Sequence, residues 1–323
     1  MRMNMIQALN SALDSAMAAD PKVLVFGEDV GYFGGVFRVT AGLQKKYGKT
    51  RCFDAPIAEG GIIGTAIGMG VYGLRPVVEI QFADYIYPGF DQLVSEAARL
   101  RYRSANGFTC PIIVRTPCGG GIFGGQTHSQ SPEGIFTHVC GLTTVMPSNP
   151  YDAKGLLLSC IEDDDPVIFL EPKSRYWPKG EVDLSAPALP LHASRIVRRG
   201  SDVTLVGHGA MVSTLLQAAA LAEAEGTSCE VVDLRSLSPV DYGPLLDSVR
   251  STGRMVYAQE APGFVSLGSE IAATVMERAF YALEAPVLRV SGYDTPFPPA
   301  KLESTYLPDP DRILEAVDRS LAY

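Results

Sequence analysis

Short apolar runs alternate with stretches of helical period along nearly the whole chain, and this alternation limits the fold more than any single motif does. Residues 23–26, 77–82, 112–115, 143–146 and 167–170 each read as a strand. Between them, residues 3–18, 60–72, 89–103 and 151–161 carry apolar positions at helical spacing. Strands separated by helices predict a parallel sheet covered by helices. The stretch "EPKSRYWPKGEVDLSAPALPLHAS" then breaks the pattern with four prolines and no clean period, and reads as a linker. A second alternating set follows, with strands at 203–206, 229–234, 255–259 and 287–290 and helices at 211–225, 241–250 and 266–282. The compact apolar run Val203-Thr-Leu-Val206 suits a strand buried on both faces. Two α/β domains with parallel sheets are expected, at residues 1–185 and 195–323.

Composition narrows the function. Hydrophobic residues make up 46% of the 323 positions and charged residues 20%, as in a soluble globular protein with a sizeable core. The 27 Lys and Arg against 36 Asp and Glu give a net charge of −9, and no basic block stands out, so nucleic acid is not an expected partner. No window approaches the roughly 18 apolar residues of a membrane span, and the first twenty residues lack a signal-peptide core. The six cysteines contain no CxxC and form no zinc-like spacing with histidine. Most are expected to be buried, reduced thiols in a cytoplasmic protein.

One motif invites a specific reading. Gly68-Met-Gly70-Val-Tyr-Gly73 matches GxGxxG, the signature of dinucleotide binding. A dinucleotide fingerprint follows a strand and opens a helix, so that the pyrophosphate meets the helix N-terminus. Here the glycines close a helical pattern and lead into a strand, so Gly73 fits a position just past a helix end. Gly60, Gly64 and Gly68, four apart, fall on one helix face. They cost that helix on the order of 1 kcal/mol each relative to alanine. Close helix packing or a subunit interface beside a cofactor would offset the cost. Glu59, just before this helix, is either a residue favoured by the helix N-terminus or a catalytic carboxylate.

Longer blocks separate these readings. "EIQFADYIYPGFDQLVSEAARLRYRS" (79–104), "RTPCGGGIFGGQTHSQSPEGIF" (115–136), "NPYDAKGLLLSCIEDDDPVIFLEPK" (149–173) and "GYDTPFP" (292–298) resemble the β subunits of thiamine-diphosphate-dependent E1 components of 2-oxo acid dehydrogenases. The likeness is greatest to the branched-chain, 2-oxoisovalerate type; pyruvate or acetoin dehydrogenase is the alternative. The resemblance implies a transketolase-like pyrimidine-binding domain followed by a transketolase C-terminal domain. It implies that Glu59, in "APIAEGGIIG", contacts N1′ of the cofactor's aminopyrimidine and shares a proton there. It places Tyr85 on the thiamine ring system with Gln81 close by, and His128, in "GGQTHSQSPE", beside the substrate during acyl transfer. Phe82 reads rather as core, and His138, His192 and His208 as structural residues. Relatives of this type can hold a potassium ion through groups matching Cys160, Asp163 and Asp165.

No GDG motif and no Asn-Asn pair occurs, so no residue of this chain is expected to ligate the Mg²⁺ that carries the cofactor's diphosphate. The resemblance assigns that half of the site to an α subunit, in an α2β2 heterotetramer, and makes the lipoyl domain of E2 a transient partner. The substrate would be a branched-chain 2-oxo acid. A nicotinamide oxidoreductase and a non-catalytic scaffold are the competing classes. The first predicts dinucleotide binding by the isolated chain, the second full activity after Glu59→Gln.

Overall fold

A computed structural model describes all residues, Met1–Tyr323. The chain divides into two compact units. One comprises residues 1–118 and 135–191, and the other residues 119–134 and 192–323.

In the first unit, helix α1 (Met5–Ala19) opens on a reciprocal cap. Asn4 Oδ1 accepts the Gln7 amide at 2.9 Å, and Gln7 Oε1 accepts the Asn4 amide at 3.1 Å. Strands β1 (Val23–Gly27), β2 (Cys52–Asp54), β3 (Arg75–Glu79), β4 (Ile113–Cys118), β5 (Thr143–Val145) and β6 (Val167–Pro172) follow, with helices α2 (Glu59–Val71) and α3 (Pro150–Glu162). These strands lie in the order β5-β6-β4-β3-β1-β2, every pair parallel. β1, β4 and β6 are buried along their whole length. Val23–Phe26 and Val167–Leu170 accordingly read as unbroken apolar runs rather than alternating ones, while β4 also buries Arg115 and Thr116. Met5, Leu9, Leu13 and Met17 of α1 pack with Leu156, Leu157 and Ile161 of α3 and with Val25, Val77 and Phe169 of the sheet.

Residues 89–103 are helical in a less regular way than their period predicts. A tight turn at Tyr87–Gly89, a wide π turn at Gln92–Glu96, another tight turn at Ala97–Arg99 and a last α turn at Leu100–Arg103 succeed one another. The segment crosses α2 closely at its start. A Cβ on Gly89 would lie 2.5 Å from Ile63 Cδ1 and 3.1 Å from the Glu59 carbonyl oxygen, so the two backbones approach to a distance only glycine permits.

In the second unit, β7 (Arg195–Arg198), β8 (Val203–Gly207), β9 (Cys229–Asp233), β10 (Met255–Pro262) and β11 (Leu288–Gly292) pair in the order β11-β10-β8-β9-β7. All pairs are parallel except the edge strand β7, antiparallel to β9. Helices α4 (Met211–Ala224), α5 (Tyr242–Thr252), α6 (Leu267–Ala279) and α7 (Pro310–Leu321) accompany the sheet. Leu215, Ala218 and Ala222 of α4 meet Ile313 and Val317 of α7 over Val203, Leu205 and Val231. No helix in the chain is long and apolar enough to cross a membrane.

Candidate active site

The carboxyl ends of the first unit's strands gather acids. Gly27, the last residue of β1, has φ +154°, and a Cβ there would lie 2.3 Å from the Glu79 carbonyl oxygen. The chain then turns into Glu28 and Asp29. Glu28 is buried, and its Oε1 finds no hydrogen-bond donor. Its carboxyl is pushed up to about 7, first by burial and then by Glu59, Asp29 and Glu79. Glu28 carries no role in the sequence reading. A carboxylate following a glycine at the carboxyl end of a parallel strand was the available signal.

Glu59 is the first residue of α2, half-buried, where the helix end favours negative charge. Its backbone is fixed by the glycine crossing. A Cβ on Gly60 would meet the Pro88 carbonyl oxygen at 3.1 Å and Gln92 Oε1 at 3.2 Å. The glycine face thus serves helix packing at its start only. Gly64 makes ordinary contact with Gln92, and a Cβ on Gly68 would enter open space. Gln81 Nε2 donates to Asp29 Oδ2 at 3.0 Å. Tyr85 is half-buried, its ring edge-on to Phe82 with centroids 5.8 Å apart. Phe82 is itself buried and packs on Phe37, as a core residue does. Glu59, Gln81 and Tyr85 therefore belong to the same carboxyl edge.

Behind them lies an ionic network. Register places Glu79 opposite Arg115, and Arg115 Nη1 donates to Glu79 Oε2 at 3.0 Å. Arg115 Nε lies 2.7 Å from Glu171 Oε1, and the Tyr176 hydroxyl donates to Glu171 Oε2 at 2.6 Å. All four side chains are buried. The network fixes Glu79, whose charge in turn bears on Glu28.

His128 belongs to the second compact unit, in the segment 119–134, and is half-buried with Nδ1 3.0 Å from Thr127 Oγ1. His138 and His192 are exposed. His208 is buried, with Nε2 3.4 Å from Glu133 Oε1 and Nδ1 3.1 Å from the Tyr257 hydroxyl. Cys160 is buried, and burial pushes its thiol well up. Of the acids after it, Asp164 and Asp165 are paired with arginines, while Asp163 Oδ1 accepts the Asp165 amide at 2.9 Å. Arg75 Nη1 donates to the Asp163 carbonyl and Arg75 Nη2 to Asp164 Oδ1, while Arg101 Nε donates to Asp165 Oδ1. The structure gathers no group of three or more His, Cys, Asp or Glu side chains able to hold a metal.

The GxGxxG match is a helix end. The Gly73 amide donates to the Gly70 carbonyl and the Leu74 amide to the Met69 carbonyl, each at 3.0 Å, with Gly73 at φ +99°. This is a Schellman cap, and β3 begins two residues later.

The edge thus offers a half-buried carboxylate, a protonatable carboxyl with a spare oxygen, an amide and an aromatic side. That set fits a flat base with a ring nitrogen and an amino group. It does not fit a diphosphate, because Glu59, Asp29 and Glu79 set the negative field that raises Glu28 there.

Comparison with known proteins decides the family. Residues 1–178 match the family "Transketolase, pyrimidine binding domain" and residues 192–313 match "Transketolase, C-terminal domain". The chain is 60% identical to "Pyruvate dehydrogenase E1 component subunit beta" of Leifsonia xyli, over 99% of this chain and 95% of that protein. It is 57% identical to "2-oxoisovalerate dehydrogenase subunit beta" of Pseudomonas aeruginosa, over 98% and 94%. With "3-methyl-2-oxobutanoate dehydrogenase subunit beta" of Mycobacterium tuberculosis the identity is 49%, over 99% and 92%. This chain belongs to the E1 β subunits of the 2-oxo acid dehydrogenases. The resemblance read from the sequence is borne out, and so is the two-domain, mostly parallel α/β fold. A solved structure titled "Split gene transketolase, inactive beta4 tetramer" shares that fold with a TM-score of 0.82, covering 99% of this chain and 98% of that one at 23% identity.

Proposed function

We propose that this E1 β subunit serves oxidative decarboxylation of branched-chain 2-oxo acids and passes the acyl group to the lipoyl domain of E2. One observation carries the reading. Glu59, at the start of α2, lies on the same carboxyl edge as Gln81 and Tyr85, with Glu28 raised to about 7 beside it. The cofactor is thiamine diphosphate, which supplies an electron sink for the departing carboxylate. Glu59 holds and returns a proton at N1′ of its aminopyrimidine. Tyr85 packs on the ring system, and Gln81, tied to Asp29, borders it. His128 orients the acyl group during transfer to lipoamide. The residues form two functional domains, 1–185 and 195–323.

The acidic edge leaves the diphosphate and its Mg²⁺ to an α subunit, in an α2β2 heterotetramer. Bare apolar side chains support that assembly. Ile57, Tyr72 and Tyr102 are each more than four-fifths exposed, at 83%, 88% and 94%, the first two flanking α2 with its open glycine face. The working compartment is the cytoplasm; relatives from Dictyostelium discoideum and Arabidopsis thaliana carry mitochondrial names. A pyruvate substrate is the second reading, favoured by the name of the 60% identical relative.

The test uses the chain assembled with its α subunit, thiamine diphosphate and Mg²⁺. kcat/KM for 2-oxoisovalerate is expected to exceed that for pyruvate by at least about tenfold, a difference of roughly 1.4 kcal/mol in transition-state binding. Glu59→Gln is expected to remove at least about 100-fold of kcat. Preference for pyruvate selects the second reading, and activity retained by Glu59→Gln sinks the role of Glu59.

A further inference from the structure

We infer that Glu260 and Glu303 are positioning residues that hold the histidine loop, residues 119–134, in one conformation within the second compact unit. The loop sequence, Gly119-Gly-Gly-Ile-Phe-Gly-Gly-Gln-Thr-His128, carries five glycines in its first seven positions. Such a segment has large backbone entropy and few side chains to anchor it. Yet it belongs to the unit formed by residues 192–323, far from it in sequence.

Two carboxylates account for this. Glu260 Oε2 accepts the Gly120 amide at 3.1 Å and the Ser131 hydroxyl at 3.3 Å, so one oxygen ties both arms of the loop. The Gly119 amide donates to the Gln130 carbonyl at 2.8 Å and closes the neck. Glu303 Oε1 accepts the Gly121 amide at 2.7 Å and the Phe123 amide at 3.3 Å. Glu303 is 2% exposed, and its Oε2 is buried without a partner. A carboxylate so enclosed, with backbone amides as its only donors, gains from the loop as much as it gives, since losing them would strand a buried charge.

The glycines suit this arrangement. Gly119 has φ +75°, and a Cβ there would lie 2.3 Å from Glu260 Oε2. A Cβ on Gly120 would lie 2.8 Å from Leu307 Cδ1. At Gly124 a Cβ would come within 2.7 Å of His128 Cβ, so the held backbone reaches the histidine itself. At the far end Glu133 meets His208, which meets Tyr257. Burial, then Glu260, Glu133 and Asp294, push the Tyr306 hydroxyl up to about 12, in keeping with acids drawn in around the loop. The functional consequence, correct placement of His128, rests on the proposed role of that histidine.

The test compares wild type, Glu260→Ala, Glu303→Ala, Glu303→Gln and His128→Ala in the α2β2 holoenzyme. Amide hydrogen exchange of residues 119–134 and acyl transfer to the lipoyl domain are both measured. Either alanine variant is expected to speed exchange of the 120–123 amides at least about tenfold, the scale of losing a charge-assisted hydrogen bond. kcat for acyl transfer should fall by a similar factor, with KM for the 2-oxo acid within about twofold. Glu303→Gln keeps an acceptor oxygen and should restore slow exchange. Glu260 is only half-buried, so Glu260→Ala decides if Glu303→Ala does not assemble. Unchanged exchange in an assembled alanine variant overturns the inference. Full acyl transfer by His128→Ala overturns the role of His128 while leaving the exchange result to judge the two glutamates.

Discussion

At the carboxyl edge of the first unit's sheet, Glu28 is buried with an oxygen that no donor reaches; at the end of β10 in the second unit, Glu260 accepts an amide and a hydroxyl from the chain's own loop. Both lie at the carboxyl ends of parallel strands, where α/β sheets present groups to ligands. The difference lies in what fills the edge. In the second unit one oxygen each of Glu260 and Glu303 is taken by donors of the chain's own loop, though Glu303 Oε2 stays without a partner, and the chain gains a fixed loop. In the first, four acids crowd together, and only Glu79 is opposed by a buried cation, Arg115. An edge left unsatisfied in this way is kept for something that arrives later. Glu59→Gln in the assembled enzyme is the sharpest way to break the comparison. Were its activity retained, the unsatisfied edge would have no chemical use.

Arg115 probes the support beneath that edge. Arg115→Met leaves Glu79 and Glu171 buried without their counter-ion. Removing one partner of a buried pair costs about 3–5 kcal/mol. The urea midpoint of the first unit should fall accordingly. A loss below about 1 kcal/mol would mean that water or rearranged carboxyls replace the guanidinium.

How far the sequence disclosed this depends on how local each cause is. Helix 60–72 was legible because apolar period and a terminal glycine act within one element, and α2 occupies Glu59–Val71. The stretch 112–115, apolar up to Arg115, read correctly as a strand, but nothing local told that Arg115 would be buried. Its neutralisation needs Glu79 across the register and Glu171 from β6. Glu28 was passed over for the same reason, since its environment is built by Glu59 and Glu79 arriving from elsewhere. The engagement of the 119–134 loop by Glu260 and Glu303 spans 129 to 182 positions and leaves no periodic trace. Helix α7 is a different case. Asp309 caps it by accepting the Arg312 amide at 2.9 Å, and Pro310 opens it, a start signal that was legible and went unused.

Glu28 gives a smaller, pH-dependent contrast. Its folded carboxyl sits at about 7 against an ordinary 4.5. Below pH 4.5 both folded and unfolded chains hold the proton, so no penalty exists. Between these values the unfolded chain releases the proton first and the folded chain retains it, so wild-type stability falls as pH rises. Above pH 7 the penalty is constant. Glu28→Gln cannot ionise and escapes it. The midpoint difference, variant minus wild type, should grow from pH 4.5 to about 7.5 and then level off. A difference flat in pH would show that Glu28 ionises normally, and that the first unit's edge is less starved of donors than its geometry implies.

The least effect is expected at the motif that first suggested a nucleotide. Gly73 adopts φ +99°, where a side chain is strained, and a Cβ there would meet nothing within 4 Å. Gly73→Ala therefore meets a backbone cost and no steric one, on the order of 1 kcal/mol. The cap hydrogen bonds to Gly70 and Met69 survive in that geometry. Thermal stability should drop slightly, while kcat and KM for the 2-oxo acid stay within about twofold, since a loss of tenfold would require about 1.4 kcal/mol of selective transition-state binding. Were Gly68–Gly73 a phosphate cradle, the added methyl would weaken a ligand far more than it weakens the fold. An activity loss exceeding the stability loss would thus return these glycines to the site, whereas a purely thermal effect leaves them as the end of the helix that carries Glu59.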